Sequence, residues 1–357
     1  MKKIMVATLV ILTTPYLSAA EIYNKDANKL DFYGSVQARH YFSDYTGSDG
    51  DNSYVRFGFK GQTQINDRLT GYGQWEYNVQ TNHTEGGSDA LSGNKTRLGF
   101  AGLKWGNFGS LDYGRNWGVL YDVASITDVA AIFDDLTYSY SDSFMSGRST
   151  GLLTYRNNNF FGLAEGLKFA VQYQGANDEN SNNARMATKA NGDGYGFSSS
   201  YTFDWGGAIL GAYSASNRTL AQQQLAYGRG DKAENWATGV KYNAHSLYLA
   251  ALYSETHNMA PIGSIGMANK AQNMEAVAQY LFNTGIQPEI GYFQSKGKQI
   301  EGVGDVDLIK YVDFGLTYFF NKNMSVYADY KMNLLKDDNP LAIPADDVFG
   351  LGLSYRF

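Results

Sequence analysis

The chain has 357 residues, 29 Lys and Arg against 35 Asp and Glu, 40 Gly, 28 Tyr, 20 Phe, 5 Pro and no Cys. The acidic balance argues against nucleic acid as a partner, and the lack of Cys means that no disulfide framework supports the fold. Beyond the first residues no apolar run approaches the roughly 20 residues of a membrane-spanning helix, and mean hydropathy is −0.37.

Lys2 and Lys3, the apolar run Ile4–Leu12 and the small residues Ser18-Ala19-Ala20 have the layout of a secretory signal peptide. Residues 1–19 are expected to be that signal, with cleavage after Ala19 or Ala20, and 20–357 to form one domain. Loss of Lys2 and Lys3 takes the net charge from −6 to −8.

Period-two alternation dominates the remainder. Val55, Phe57 and Phe59 oppose Arg56, Gly58 and Lys60. Leu167, Phe169, Val171 and Tyr173 oppose Lys168, Ala170 and Gln172. Val312, Phe314, Leu316, Tyr318 and Phe320 oppose Asp313, Gly315 and Thr317. At the end of the chain Phe349, Leu351, Leu353, Tyr355 and Phe357 oppose Val348, Gly350, Gly352, Ser354 and Arg356. Sixteen strands are predicted, starting near Leu30, Tyr54, Thr70, Thr96, Ser110, Thr150, Leu167, Gly194, Gly207, Ala233, Leu247, Ala271, Ile286, Tyr311, Asn323 and Asp346. Short turns such as Asn66-Asp67-Arg68 and Asn321-Lys322-Asn323 alternate with long polar stretches such as 44–52, 81–95, 175–191 and 217–232. Long loops on one side and short turns on the other are the pattern of an outer-membrane β-barrel, with apolar residues outward and polar residues lining a wet lumen. An even number near sixteen is large enough for an aqueous channel.

The connection from Trp117 to Arg148 is far longer than typical loops and carries the apolar segments Trp117–Tyr121 and Val129–Phe133. An apolar loop of that length needs a surface to pack on. Folded inward against the wall, it becomes the candidate constriction. Its Asp128, Asp134 and Asp135 would then face Arg56, Arg97, Arg148 and Lys95 on flanking strands, setting a field across the opening. Enzyme chemistry has little support. His40, His83, His245 and His257 lack ligand spacing or an acid–base partner in sequence, and Gly192-Asp-Gly-Tyr-Gly196 opens a strand rather than a helix, so a nucleotide loop is excluded. No enzyme activity, cofactor or metal is expected.

Several segments resemble the general porins of enteric outer membranes, the OmpF/OmpC/PhoE group. They are Ala20–Asp26, Arg56–Gly61, Leu69–Tyr77, Thr96–Lys104, Asp112–Arg115, Thr154–Asn157, Phe160–Leu163, Phe169–Tyr173 and the terminal Phe357. The resemblance runs from the mature start to the last residue. It implies an all-β, 16-stranded antiparallel transmembrane barrel with the third extracellular loop in the lumen, working as a homotrimer in the outer membrane. Small hydrophilic solutes and ions would cross by passive diffusion. It also implies contact with lipopolysaccharide and presentation of Phe357 to the barrel-assembly machinery. It places Arg56, Arg97 and Arg148 at the eyelet with Asp128 opposite, and Glu85 as a latch to a neighbouring subunit with Arg115 as its partner. The sequence departs from the family's loop motif at Ala131–Leu136, where Ile132 replaces a glutamate and Asp134 and Asp135 replace glycines. Ser35 stands where the family has a wall lysine. With the −8 charge, the expectation is a mildly cation-preferring porin. The alternative is a substrate-specific channel with a saturable site, to which Trp117, Tyr121 and Phe133 would contribute.

Overall fold

A computed structural model describes residues 20–133, 136–179 and 185–357. The expected signal segment, and Asp134 and Asp135, lie outside the described residues. Eighteen β-segments form one antiparallel sheet. Two of these, Ala20–Lys25 and Gly50–Asp51, are short extensions, which leaves sixteen principal strands. In chain order these are β1 (Asn28–Phe42), β2 (Tyr54–Asn66), β3 (Leu69–Gln80), β4 (Lys95–Trp105), β5 (Ser110–Trp117), β6 (Arg148–Asn157), β7 (Leu167–Gln174) and β8 (Gly194–Thr202). They continue as β9 (Gly207–Asn217), β10 (Lys232–Ala244), β11 (Leu247–His257), β12 (Lys270–Tyr280), β13 (Ile286–Ile300), β14 (Gly304–Phe319), β15 (Met324–Asn333) and β16 (Val348–Arg356).

Each strand pairs with the next, and β16 closes the sheet on β1 from Ser35↔Arg356 to Phe42↔Phe349. Past the end of β16, Ala20–Lys25 takes over as partner of β1, from Ala20↔Phe32 to Lys25↔Asn28. The seam between the two chain ends is held by Phe357 N–H to Gly34 O at 3.0 Å and Gly34 N–H to Phe357 O at 2.9 Å. Closure leaves no unpaired edge, which a sheet in lipid requires because hydrocarbon offers no hydrogen bonds.

The expected strand starts fall within two residues of the observed ones except at Tyr311, because β14 begins at Gly304. There β13 and β14 extend past the apolar band as a polar hairpin. Lys298 pairs with Asp305 at 2.8 Å and Lys310 with Asp307 at 3.5 Å, and two register shifts interrupt the ladder. Val306 and Leu308 do alternate with Asp305 and Asp307, but the register shift at Leu308 puts them out of phase with Tyr311 and Asp313, so the two halves do not read as one strand.

The short turns are stabilised by local side-chain acceptors. Asn66 Oδ1 accepts from the Arg68 and Leu69 amides at 3.0 and 3.1 Å. Asn321 Oδ1 accepts from the Asn323 and Met324 amides at 2.8 and 3.0 Å. Asn favours such turns because its side chain mimics a backbone carbonyl.

One face of each strand is apolar and exposed, as at Phe314, Leu316 and Tyr318 of β14 and Phe349, Leu351, Leu353 and Tyr355 of β16. The opposite face is polar and buried, including Gln37, Glu76, Asn78, Gln172, Asn273, Glu275, Asp313, Asp329 and Ser354. That inversion of the usual soluble pattern follows from the solvents: lipid outside, water and polar groups within.

The candidate pore constriction

The segment between β5 and β6 starts and ends at a narrow neck. Gly118 N–H bonds Gly147 O at 2.9 Å, and Leu120 N–H bonds Met145 O at 3.3 Å. A Cβ on Gly118 would lie 2.0 Å from Met145 O, so the neck needs glycine there. Beyond it, Tyr121–Ala124 forms one helical turn. Leu120, Val123, Ala124, Ile126, Leu136, Tyr138 and Phe144 then join one buried cluster with Ala212, Ala237, Ala250, Leu252 and Val277 from the wall. These wall residues sit on the normally polar face, which turns apolar where the loop lies. At Gly239 a Cβ would meet Ile126 Cδ1 at 2.6 Å.

Polar contacts tie the loop to several strands. Val119 N–H donates to Gln172 Oε1 of β7 at 3.0 Å. Asp122 accepts from Arg156 of β6 at 2.7 Å and from Ser198 of β8 at 2.5 Å. Tyr248 of β11 donates to Ile126 O at 2.6 Å, and Gln279 of β12 to Val129 O at 3.1 Å. The fully buried Glu275 of β12 accepts from the Thr127 hydroxyl, and the Thr137 amide and hydroxyl both donate to it at 2.6 Å. Asp329 of β15 accepts from the Ile132 and Phe133 amides at 3.0 and 3.4 Å. Each of these wall groups lies on the face opposite the exposed apolar one.

The four expected basic residues are brought together. Arg148 lies within electrostatic range of Arg97 and Arg56, and Lys95 within range of Arg148, Arg97, Arg56 and Arg115. Arg97 reaches the group through a bulge: Tyr77 pairs with Thr96 and Glu76 with Leu98, which leaves Arg97 as the extra residue. Such a bulge re-aims a side chain, and Arg97 Nε meets Glu76 Oε1 at 2.6 Å. The Arg148 guanidinium lies 4.6 Å over the Trp117 ring and donates to Ser141 Oγ at 3.1 Å. Trp117 stacks on Tyr121 at 3.6 Å and 11°, and the Tyr121 hydroxyl donates to Asp128. Asp128 also lies within range of Glu275.

The other expected residues lie outside this basic group. Ile132 is 5% exposed and packs with Phe133, Tyr327, Val348 and Tyr41 on the wall. Its Cδ1 occupies the space over Gly350. Phe133 is likewise buried, 5.5 Å from the Tyr41 ring. Glu85 is exposed in the segment between β3 and β4. The Arg115 guanidinium is engaged within its own chain by Asp142, at 2.5 and 3.0 Å. Phe357 lies at the barrel seam against Phe32, with ring centroids 5.2 Å apart.

Sequence reasoning missed Glu275 and Asp329, the wall acceptors that hold the loop. It also missed Glu76, which partners Arg97, and two more basic wall residues, Arg39 and Arg356. Their position on the polar face was readable from parity. Their neighbours were not, because those come from strands distant in sequence.

A closed sixteen-strand barrel with a polar interior, an apolar exterior and charged groups gathered at one level is the architecture of an outer-membrane channel. Residues 25–357 match the Gram-negative porin family. The chain is 54% identical to the outer membrane protein F of Serratia marcescens, with 100% of both chains covered. It is also 54% identical to the outer membrane porin PhoE of Enterobacter cloacae, again over 100% of both. The solved structure of Salmonella typhi OmpF in complex with daunomycin superposes with a TM-score of 0.87 at 48% identity, covering 95% of this chain and 100% of that one. The chain belongs to the Gram-negative porin family and is an outer-membrane β-barrel, not an enzyme.

Proposed function

We propose that the protein is a homotrimeric general diffusion porin with a mild preference for cations, and that residues 118–147 narrow its channel. The observation that carries this reading is the set of contacts from that segment to the polar faces of β6, β7, β8, β11, β12 and β15. Bonds to that many strands of one barrel support a path of the segment through the interior. Arg56, Arg97, Arg148 and Lys95 then form the basic side of the opening and Asp128 belongs to the acidic side, with Ile132 serving as a wall anchor. Opposed charges make the net preference weak. The charge of −8 left once Lys2 and Lys3 are lost tips it toward cations only through groups within about 8–10 Å of the ion path, the screening length in physiological salt. In planar bilayers under a KCl gradient, the expected result is stepwise ohmic conductance with a reversal potential slightly on the cation side. Absence of steps would end the porin reading. A chloride-side potential would overturn only the selectivity.

The residues 1–19 act as a signal peptide in this reading. Lipopolysaccharide surrounds the barrel, Phe357 is read by the assembly machinery, and Glu85 latches onto a neighbouring subunit near Arg115, competing there with Asp142. A substrate-preferring channel is the second reading, favoured by the Trp117–Tyr121 stack beneath Arg148. Saturable flux of a single solute class would select it.

A further inference from the structure

Two arginines of the inner wall flank a position that carries only a serine, and a third lies four residues further along the same strand. Ser35 of β1 is paired on one side with Arg356 of β16 and on the other with Arg56 of β2. Cross-strand partners project to the same face, and Ser35 is buried on the inner face while Val36 and Tyr355 are exposed outside. Two strand spacings put the Cβ atoms of Arg356 and Arg56 about 10 Å apart, with the short Ser35 side chain between them. Two pairs further along β1, Arg39 lies on the same face. Its guanidinium stands 4.8 Å from the Tyr54 ring, and that of Arg56 stands 5.0 Å from the same ring.

The arrangement is braced. Arg39 Nε donates to Asn52 O at 3.1 Å. Tyr327 lies across Gly352, where a Cβ would come within 2.3 Å of the ring. Its hydroxyl donates to Gln37 Oε1 at 2.9 Å, and Gln37 Nε2 donates to Ser354 Oγ at 2.8 Å. Tyr327 has both Arg39 and Arg356 within electrostatic range. Among the described residues neither Arg39 nor Arg356 takes part in an ion pair, whereas Arg97, Arg115, Arg156 and Arg229 all do.

We propose that Arg39, Arg56 and Arg356, with Ser35 as the gap between them, form a binding subsite for a compact oxyanion of the phosphate class on the channel wall. Guanidinium groups present paired N–H donors that match anionic oxygens. Donors converging from three strands suit a tetrahedral anion better than a halide, which offers no directed lone pairs to a fork. A large side chain at position 35 would fill the gap. The subsite gives the channel a local affinity for such anions that its net charge opposes, so a captured anion slows the passage of other ions.

The inference rests on the protein being a channel, and the experiment separates the two. Stepwise conductance of the full protein in KCl tests the channel. Titration of inorganic phosphate at constant ionic strength then tests the subsite. A saturable fall in KCl current is expected. In Arg39→Gln/Arg356→Gln the half-blocking concentration should rise about tenfold or more, the equivalent of one or more charge-assisted hydrogen bonds lost. Arg39→Gln alone, away from the chain terminus, should give part of that rise and covers the case where the double variant does not assemble. Lys241→Gln, on the far wall, should leave half-block unchanged. Ser35→Lys, which adds charge but fills the gap, should weaken the block rather than strengthen it. Equal phosphate block in wild type and Arg39→Gln, or an equal shift from Lys241→Gln, would overturn the subsite while leaving the porin intact.

Discussion

Replacing Glu275 tests whether the wall acceptors fix residues 118–147. Glu275 is fully buried and gathers three hydrogen bonds from two separate points of that segment, Thr127 and Thr137. Glu275→Ala removes the acceptor of all three and leaves the Thr137 amide and hydroxyl without it in a site closed to water, while the Thr127 hydroxyl keeps Ala124 O at 3.0 Å. Each lost bond is worth about 1 kcal/mol net, and each orphaned buried donor costs about 1–3 kcal/mol more. Allowing for partial relaxation, docking of residues 127–137 should weaken by about 3–5 kcal/mol, which raises the undocked fraction by about two to three and a half orders of magnitude. The apolar contacts of Leu120, Val123 and Ile126 remain, so the segment should loosen at its middle without leaving the barrel. Single-channel recording should show raised open-channel noise and altered mean conductance. Limited proteolysis of the folded protein should cut within 127–137. Glu275→Gln keeps the shape and one carbonyl for Thr137, and its amide can donate to the Thr127 hydroxyl, so it should behave close to wild type. If Glu275→Ala matches wild type in conductance, noise and protease resistance, the anchoring argument fails.

Two further outcomes follow from packing and charge. Gly352→Ala places a methyl within 2.3–2.5 Å of the Tyr327 ring. The ring must lift, losing its bond to Gln37, at a cost of about 1–3 kcal/mol for overpacking, which should lower the thermal midpoint of the folded barrel in detergent. Outside the membrane, Glu301 links the segments after β9, β11 and β13, accepting from Arg229 Nε and Asn269 Nδ2 at 3.0 Å each and from the Gly228 amide. Burial pushes its carboxyl up, but the hydrogen bonds from Asn269, its own backbone, Gly228 and Arg229 outweigh that and hold it below the ordinary glutamate value. A depressed carboxyl contributes stability that is present above its unfolded value, near 4.3, and lost as pH falls through the folded one. Protease sensitivity of 218–231 should therefore rise under acid and not change between pH 6 and 8, and Glu301→Gln should be sensitive already at neutral pH.

Much of this protein was legible in the sequence because a barrel is built from local rules. Alternation of period two, turn residues such as Asn66 and Asn321, and the unequal spacing of turns are each set by a few adjacent residues, and they fixed strand number, face and class. They failed at Gly304–Lys310, where a bulge at Leu308 switches the phase of the alternation within one strand. What the sequence could not decide was where a side chain ends up once distant strands meet. Ile132, expected at the opening, is tucked over Gly350, because Asp329, 197 residues away, takes its amide. Arg97 enters the basic cluster through a bulge, and Arg356 stands beside Ser35 because the last strand closes on the first. Local propensity acts over a few residues along the chain, whereas closure of the sheet and the filling of its interior depend on contacts across it, and only the tertiary structure decides those.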